Sequence, residues 1–202
     1  MIAVIDYGCG NLFSLASSLT HLGIASGIVS DPARLSEADK LILPGVGAFG
    51  DAADKLRRTG MFDALLERAR AGVPVLGICL GMQLLFEKSY EYGEHEGLGL
   101  IPGRVCPLAE DIRPDLKIPH MGWNPLRIRR TDPILADTAD GTSMYFVHSF
   151  YAKDCEQAIL ADAEYDVAVP ALVAQGSVYG AQFHPEKSGE AGLKLLSAFA
   201  RL

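Results

Sequence analysis

The chain opens on a short β-branched and apolar run, residues 2–6, that ends in Asp6-Tyr7-Gly8-Cys9-Gly10-Asn11, the pattern of a strand followed by a turn. Leu12, Leu15, Ala16, Leu19 and Leu22 then recur at helical spacing and form one apolar stripe. Residues 25–30 predict a second strand, closed by Asp31-Pro32, and residues 40–43 a third that runs into Pro44-Gly45-Val46-Gly47. Phe62, Leu65, Leu66 and Ala69 mark another helix face, stopped by Gly72. Residues 73–79 read as a buried strand, and a helix is expected over 80–88. Strands alternating with helices in this way imply a parallel sheet covered on both faces.

The second half changes character. Residues 89–100 are polar and Gly-rich, which suggests a surface excursion. Apolar runs with short turns follow at 104–108, 126–129, 143–151, 158–161, 167–174 and 177–184, as expected of hairpin-rich or mixed strands. A last helix, with Ser188 as its cap and Glu190 in its first turn, directs Gly192, Leu195, Leu196 and Phe199 inward. The expected class is α/β, a mostly parallel central sheet flanked by helices with additional antiparallel strands in the C-terminal half.

Composition narrows the function. Of 202 residues, 49% are hydrophobic, and no repeat or linker divides them, so residues 1–202 are expected to form one domain. A domain of this length rarely holds two complete active sites, so two-step chemistry would need another chain. Lys and Arg total 18 against 25 Asp and Glu, a formal charge of -7, which argues against nucleic acid and anionic membranes as partners. No apolar run approaches the ~18 residues of a membrane-spanning helix. The run Met1 to Asp6 lacks a basic stretch and meets a charge too early for a secretory leader. Cys9, Cys79, Cys106 and Cys155 contain no Cys-x-x-Cys pair, so neither a disulfide framework nor a metal site is expected. Together these features predict a soluble, cytoplasmic protein.

The most informative segment is Gly77-Ile78-Cys79-Leu80-Gly81, set where a predicted strand turns directly into a predicted helix. It reads as a nucleophile elbow with cysteine in place of serine, in which the glycines let the backbone turn sharply. A helix start favours the thiolate, and the N–H of Leu80 points where an oxyanion would form. The plainer alternative is a cysteine buried in a core strand. The candidate base is His184, in Gln182-Phe183-His184-Pro185-Glu186-Lys187-Ser188, at the same carboxyl edge of the sheet. Pro185 ends strand pairing and frees Glu186 to turn back on the imidazole, completing the triad logic of acyl transfer. Of the five histidines, His120 and His148 remain rivals.

A second loop, Gly45-Val46-Gly47-Ala48-Phe49-Gly50, formally spells a dinucleotide fingerprint. That motif belongs to the first strand and wants an acidic residue roughly 20 positions later on a second strand. The stretch around Leu65 is helical instead, so no cofactor is expected. The loop can offer the N–H of Val46 or Gly47 to the same oxyanion as Leu80.

Together, Gly77-Ile78-Cys79-Leu80-Gly81-Met82-Gln83, Pro44-Gly45-Val46-Gly47 and His184-Pro185-Glu186 resemble the class I, or triad, glutamine amidotransferases, whose fold is flavodoxin-like. Asp6 to Asn11, Pro119-His120-Met121-Gly122-Trp123-Asn124, Tyr145-Phe146-Val147-His148-Ser149-Phe150 and Lys187 narrow the resemblance to the glutaminase subunits of imidazole glycerol phosphate synthase, over essentially the whole chain. Phe150 stands where that family commonly has Tyr.

The resemblance implies that Cys79 attacks the side-chain amide of glutamine, that Leu80 with Val46 or Gly47 holds the oxyanion, and that His184 passes a proton to ammonia. Gln83 would hold the substrate's α-amino or carboxylate group, and the backbone of Ser149 and Phe150 would complete the pocket. A separate (β/α)8-barrel cyclase would receive the ammonia and be contacted by Asn11, Met121, Trp123 and Lys187. Trp123, the only tryptophan, is either an interface anchor in a short loop or a core residue. The loop Pro44 to Gly47 would become fully competent only with the cyclase and its ligand bound. Competing readings are the glutaminase of pyridoxal phosphate synthesis, a detached domain of guanylate or anthranilate synthesis, a stress-related cysteine hydrolase or chaperone, and a silent regulatory module on the same fold.

Overall fold

In the computed structural model, which describes residues 1–202, strand and helix alternate through the first half. The order is β1 (Ile2–Ile5), α1 (Leu12–His21), β2 (Ser26–Val29), β3 (Lys40–Leu43), α2 (Phe49–Arg58), α3 (Met61–Arg70), β4 (Val75–Ile78) and α4 (Leu80–Leu84). Strands dominate thereafter: β5 (Phe86–Ser89), β6 (His95–Glu96), β7 (Ile101–Pro107), β8 (His120–Ile128), β9 (Ser143–His148), β10 (Phe150–Lys153), β11 (Ile159–Tyr165), β12 (Val167–Gln175) and β13 (Val178–Ala181), before α5 (Gly189–Arg201).

The main sheet runs β2-β1-β3-β4-β13-β12-β11-β8-β9, parallel from β2 to β13 and antiparallel from there to β9. A smaller sheet, β10-β7-β5-β6, accompanies it. Both faces of the parallel part are covered, because successive side chains of a strand point to opposite faces. Ala3, Ile5, Leu41, Leu43 and Val75 join the core under α2, α3 and α4. Ile2, Val4, Ile42, Leu76 and Ile78 join the core under α1 and α5, where Leu195, Leu196 and Phe199 lie as expected. No helix is long and apolar enough to cross a membrane.

Three expectations change. The helix predicted over 80–88 ends at Leu84 and continues as β5. Its terminal carbonyls are captured from outside: Leu98 N–H donates to Leu84 O at 2.8 Å and Ile101 N–H to Leu85 O at 3.0 Å. The run 143–151 divides between two sheets, β9 in one and β10 in the other. Residues 89–100 are no simple excursion, for Glu91 is buried and β6 pairs with β5.

Candidate active site

Strand β4 delivers Cys79 to the carboxyl edge of the parallel sheet, and α4 begins at the next residue. Cys79 has φ 53° and ψ -111°, a conformation that costs an L-residue about 1–3 kcal/mol and persists only where the surroundings over-determine it. They do so here. Cys79 N–H donates to Ala181 O at 2.7 Å, and Cys79 O accepts from Gln83 N–H at 3.1 Å. The flanking glycines serve a different end from the sharp turn anticipated, since the left-handed φ belongs to Cys79 and not to them. They provide room: a Cβ on Gly81 would lie 1.8 Å from Leu43 O, and one on Gly77 2.6 Å from Gly81 O.

His184 follows β13, the neighbour of β4, and is itself buried. Its Nδ1–H donates to Glu186 Oε1 at 2.8 Å, which leaves Nε2 for the cysteine. Burial pulls the imidazole's proton affinity down, but hydrogen bonds to Cys79 and Glu186, with their negative charge, raise its pKa to about 9. Ser188, expected as a side-chain cap of α5, does not cap it. Its hydroxyl donates to His184 O at 2.7 Å and accepts from Tyr145 N–H at 3.0 Å, pinning the turn that carries His184 and Glu186 to β9.

Cys79 and His184 open into a cleft of about 430 Å³ whose walls include Val46, Gly47, Leu80, Gln83, Ser149, Phe150 and Lys187. The sequence-predicted pocket residues therefore converge. The N–H groups of Val46 and Gly47 donate to no other protein group, and that of Leu80 heads α4, where no intrahelical acceptor exists. Gln83 is buried and donates both amide hydrogens, to Phe150 O at 3.0 Å and Gln182 Oε1 at 3.1 Å. Because the Phe150 carbonyl can only accept, Gln83 keeps Oε1 as an acceptor, a group suited to an ammonium and not to a carboxylate.

Two further wall residues, Glu91 and Tyr92, escaped the sequence reading. Glu91 Oε2 accepts from Phe49 N–H, at the start of α2, at 2.6 Å. Burial pushes its carboxyl pKa up, partly offset by that hydrogen bond. Tyr92 stands edge-on to Phe150, ring centroids 6.0 Å apart. Both sit in a polar, Gly-rich stretch with no periodicity to mark a buried residue, so only the ladder of β5 with β6 and β7 reveals their position.

The rival histidines are excluded as bases by their partners. His148 also borders the cleft, but its Nδ1 is bonded to Phe150 O and its Nε2 to His120. The candidate interface residues lie on the surface. Met121 and Trp123 are 62% and 56% exposed, which rules out a core role for the tryptophan. They occupy strand β8, opposite Val147 and Tyr145 of β9, and not the short loop expected. Lys187 is exposed at the cleft, and Asn11 precedes α1 beside Glu186 and Pro44 to Val46.

Comparison with known proteins agrees with this geometry. Residues 3–201 match the family described as glutamine amidotransferase class-I. Among curated relatives, the imidazole glycerol phosphate synthase subunit HisH of Listeria monocytogenes is 49% identical, covering 98% of this chain and 94% of its own. That of Bacillus licheniformis is 50% identical, with 98% and 95% covered. Among solved structures, a glutamine amidotransferase superposes with TM-score 0.77 at 22% identity, over 100% of both chains. PurLQS from Thermotoga maritima superposes with TM-score 0.78 at 21% identity, over 99% of this chain and 97% of that one. At such identities these two bear on the fold alone.

Proposed function

The chain belongs to the class I glutamine amidotransferases, and from that premise we propose that it is the glutaminase subunit of imidazole glycerol phosphate synthase, in histidine biosynthesis. It acts as a single catalytic domain. The observation that carries the reading is the conjunction of the strained Cys79 elbow, the buried His184–Glu186 pair and a cleft lined by Gln83.

The Cys79 thiolate attacks the side-chain carbonyl carbon of glutamine. The resulting oxyanion rests on the N–H of Leu80 and on that of Val46 or Gly47, donors already free of other partners. His184, protonated through its hydrogen bonds to Cys79 and Glu186, gives its Nε2 proton to the departing nitrogen as the carbon–nitrogen bond breaks, and ammonia leaves. Water, deprotonated by the same imidazole, attacks the thioester and releases glutamate and the free cysteine. Glu186 holds the imidazole in the Nδ1–H tautomer throughout. At the far end of the cleft, Gln83 Oε1 and the Glu91 carboxylate receive the substrate's α-ammonium, and the Ser149–Phe150 backbone closes over it.

The ammonia passes to a barrel cyclase that docks over the cleft mouth. Trp123, packed edge-on against Tyr145 with centroids 5.9 Å apart, and Met121 supply the apolar anchor, while Lys187 and Asn11 supply the polar rim. Asn11 borders the same small cavity as Glu186 and the Pro44–Val46 loop, so partner contact at Asn11 reaches both halves of the catalytic centre. No nucleic acid, membrane or cofactor takes part, and the complex works in the cytoplasm.

The test is glutamate release by the purified chain, alone and with the cyclase and its ribotide ligand. Slow hydrolysis alone and strong acceleration in the complex are expected, and equal rates would sink the activation claim. Cys79→Ala should lose hydrolysis and keep cyclase binding.

A further inference from the structure

Two buried histidines that this chemistry leaves idle stand directly opposite each other, His120 on β8 and His148 on β9. Three hydrogen bonds run through them. His148 Nδ1 meets the Phe150 carbonyl at 2.9 Å, His148 Nε2 meets His120 Nδ1 at 2.9 Å, and His120 Nε2 meets Asn124 Oδ1 at 2.8 Å. Both ends of this chain are acceptors. The carbonyl has no proton to give, and Asn124 donates its amide N–H to Glu164 O at 3.2 Å, so its oxygen must be what faces the imidazole. Three links need three protons, whereas two neutral imidazoles carry two.

We infer that His120 and His148 share one additional proton, and that this proton completes a clamp on the Phe150 carbonyl, making the pair positioning residues for the substrate pocket. The inference rests on the glutaminase reading for what the pocket binds. The Phe150 carbonyl also accepts from Gln83, so the clamp sets the Ser149–Phe150 strap and the orientation of Gln83 together. Without the third proton one of the three links lacks its hydrogen, and the strap loses a fixed position.

Opposing forces set where the proton is taken up. Burial, the largest effect, lowers the pKa of both rings, that of His148 to about 3, where like charge on His120 and then on His184 adds to it. In favour are the two acceptor ends and a sandwich of aromatic faces around His120, Tyr165 at 4.0 Å and Phe146 at 5.1 Å between centroids, which attracts a cation. The titratable side chains facing the pair are Tyr165 from β11 and His184 from the turn after β13. The nearby Glu164 carboxylate is drawn away to Arg127, at 2.7 Å. The balance puts protonation well to the acid side of neutrality.

The experiment is ¹⁵N NMR of the histidine-labelled full chain from about pH 8 down to about pH 3, beside glutamine KM in the cyclase complex over the part of that range in which the complex stays active. One titration step shared by His120 and His148 is expected, ending with three ring nitrogens bonded through hydrogen. Asn124→Ala removes the far acceptor, so two protons then complete the clamp and the shared step disappears. Glutamine KM of the wild type should exceed that of Asn124→Ala by about threefold at the alkaline end, roughly one hydrogen bond's effect, and the two should converge on acidification while kcat stays matched. Independent titration, permanently neutral rings or a shared step that survives Asn124→Ala would overturn the inference. A chain that titrates as expected yet hydrolyses no glutamine would overturn the glutaminase reading instead.

Discussion

The turns that follow β3 and β4 are adjacent, both rich in glycine and both lining one cleft, yet they are held in opposite ways. After β4, both backbone groups of Cys79 are bonded, and Gly81 lies so close to Leu43 O that no side chain fits. After β3, the loop is fixed at its two ends, where Tyr7 donates to Pro44 O at 2.9 Å with Gly45 abutting Gly81 N, and where buried Phe49 donates its N–H to Glu91. Between those ends, Val46 is 44% exposed, and Gly47 has φ 102° with open space where a side chain would be. Cys79 is thus held by packing, whereas Val46 and Gly47, the oxyanion donors of the proposed mechanism, sit on a segment that packing leaves exposed. On the proposed function, a partner docked at Asn11 and Trp123 would complete what the lone chain leaves incomplete and so limit idle hydrolysis without any change at Cys79.

Substitution can break this contrast at either end. Gly81→Ala should do the most damage, lowering unfolding stability by about 4 kcal/mol or more, because neither backbone can retreat. Urea denaturation measures it, and a wild-type midpoint would refute the close approach. Gly47→Ala meets no atoms and should cost only about 1–2 kcal/mol for its left-handed φ. Relaxation of that φ would swing the loop's N–H groups away from the oxyanion, so the glutaminase rate in the cyclase complex should nevertheless fall by up to about 100-fold, the effect of losing one donor. Full activity would mean that the donor lies elsewhere.

A smaller effect sharpens the fixed side. His184 is held protonated up to about pH 9, so it should remain an imidazolium at neutral pH. The stability this raised value contributes is complete below the ordinary histidine value near 6.5 and is lost as pH rises through about 9. Cys79→Ala removes the hydrogen bond and charge of the thiolate, and NMR should then find His184 titrating at lower pH, with Glu186 alone opposing burial. An unchanged titration would mean that Cys79 and His184 are not coupled.

Much of the fold was legible because strands β1, β3 and β4 are continuous apolar runs buried on both faces, and helices α1 and α3 carry apolar stripes that end at visible turn residues. The end of α4 was not legible. Leu84-Leu85-Phe86 contains no helix breaker, and only the carbonyl contacts from residues 97–101 convert it to a strand. Ser188 has the look of a cap, but a bond from distant Tyr145 N–H and the carbonyl of His184 claims its hydroxyl.

By itself the sequence determined the chemistry: a cysteine between glycines at a strand end, a histidine and glutamate two positions apart, and a second glycine turn, each local pattern sufficient to name its part. Tertiary structure alone decided what surrounds those parts. It brought Glu91 and Tyr92 into the cleft, engaged Gln83's amide nitrogen so that its oxygen is left as an acceptor, put Trp123 on the surface of a strand and joined His120 to His148. Such outcomes depend on which distant acceptors and donors meet across a sheet, and a pairing between strands far apart in the chain leaves no mark on the residues next to either partner.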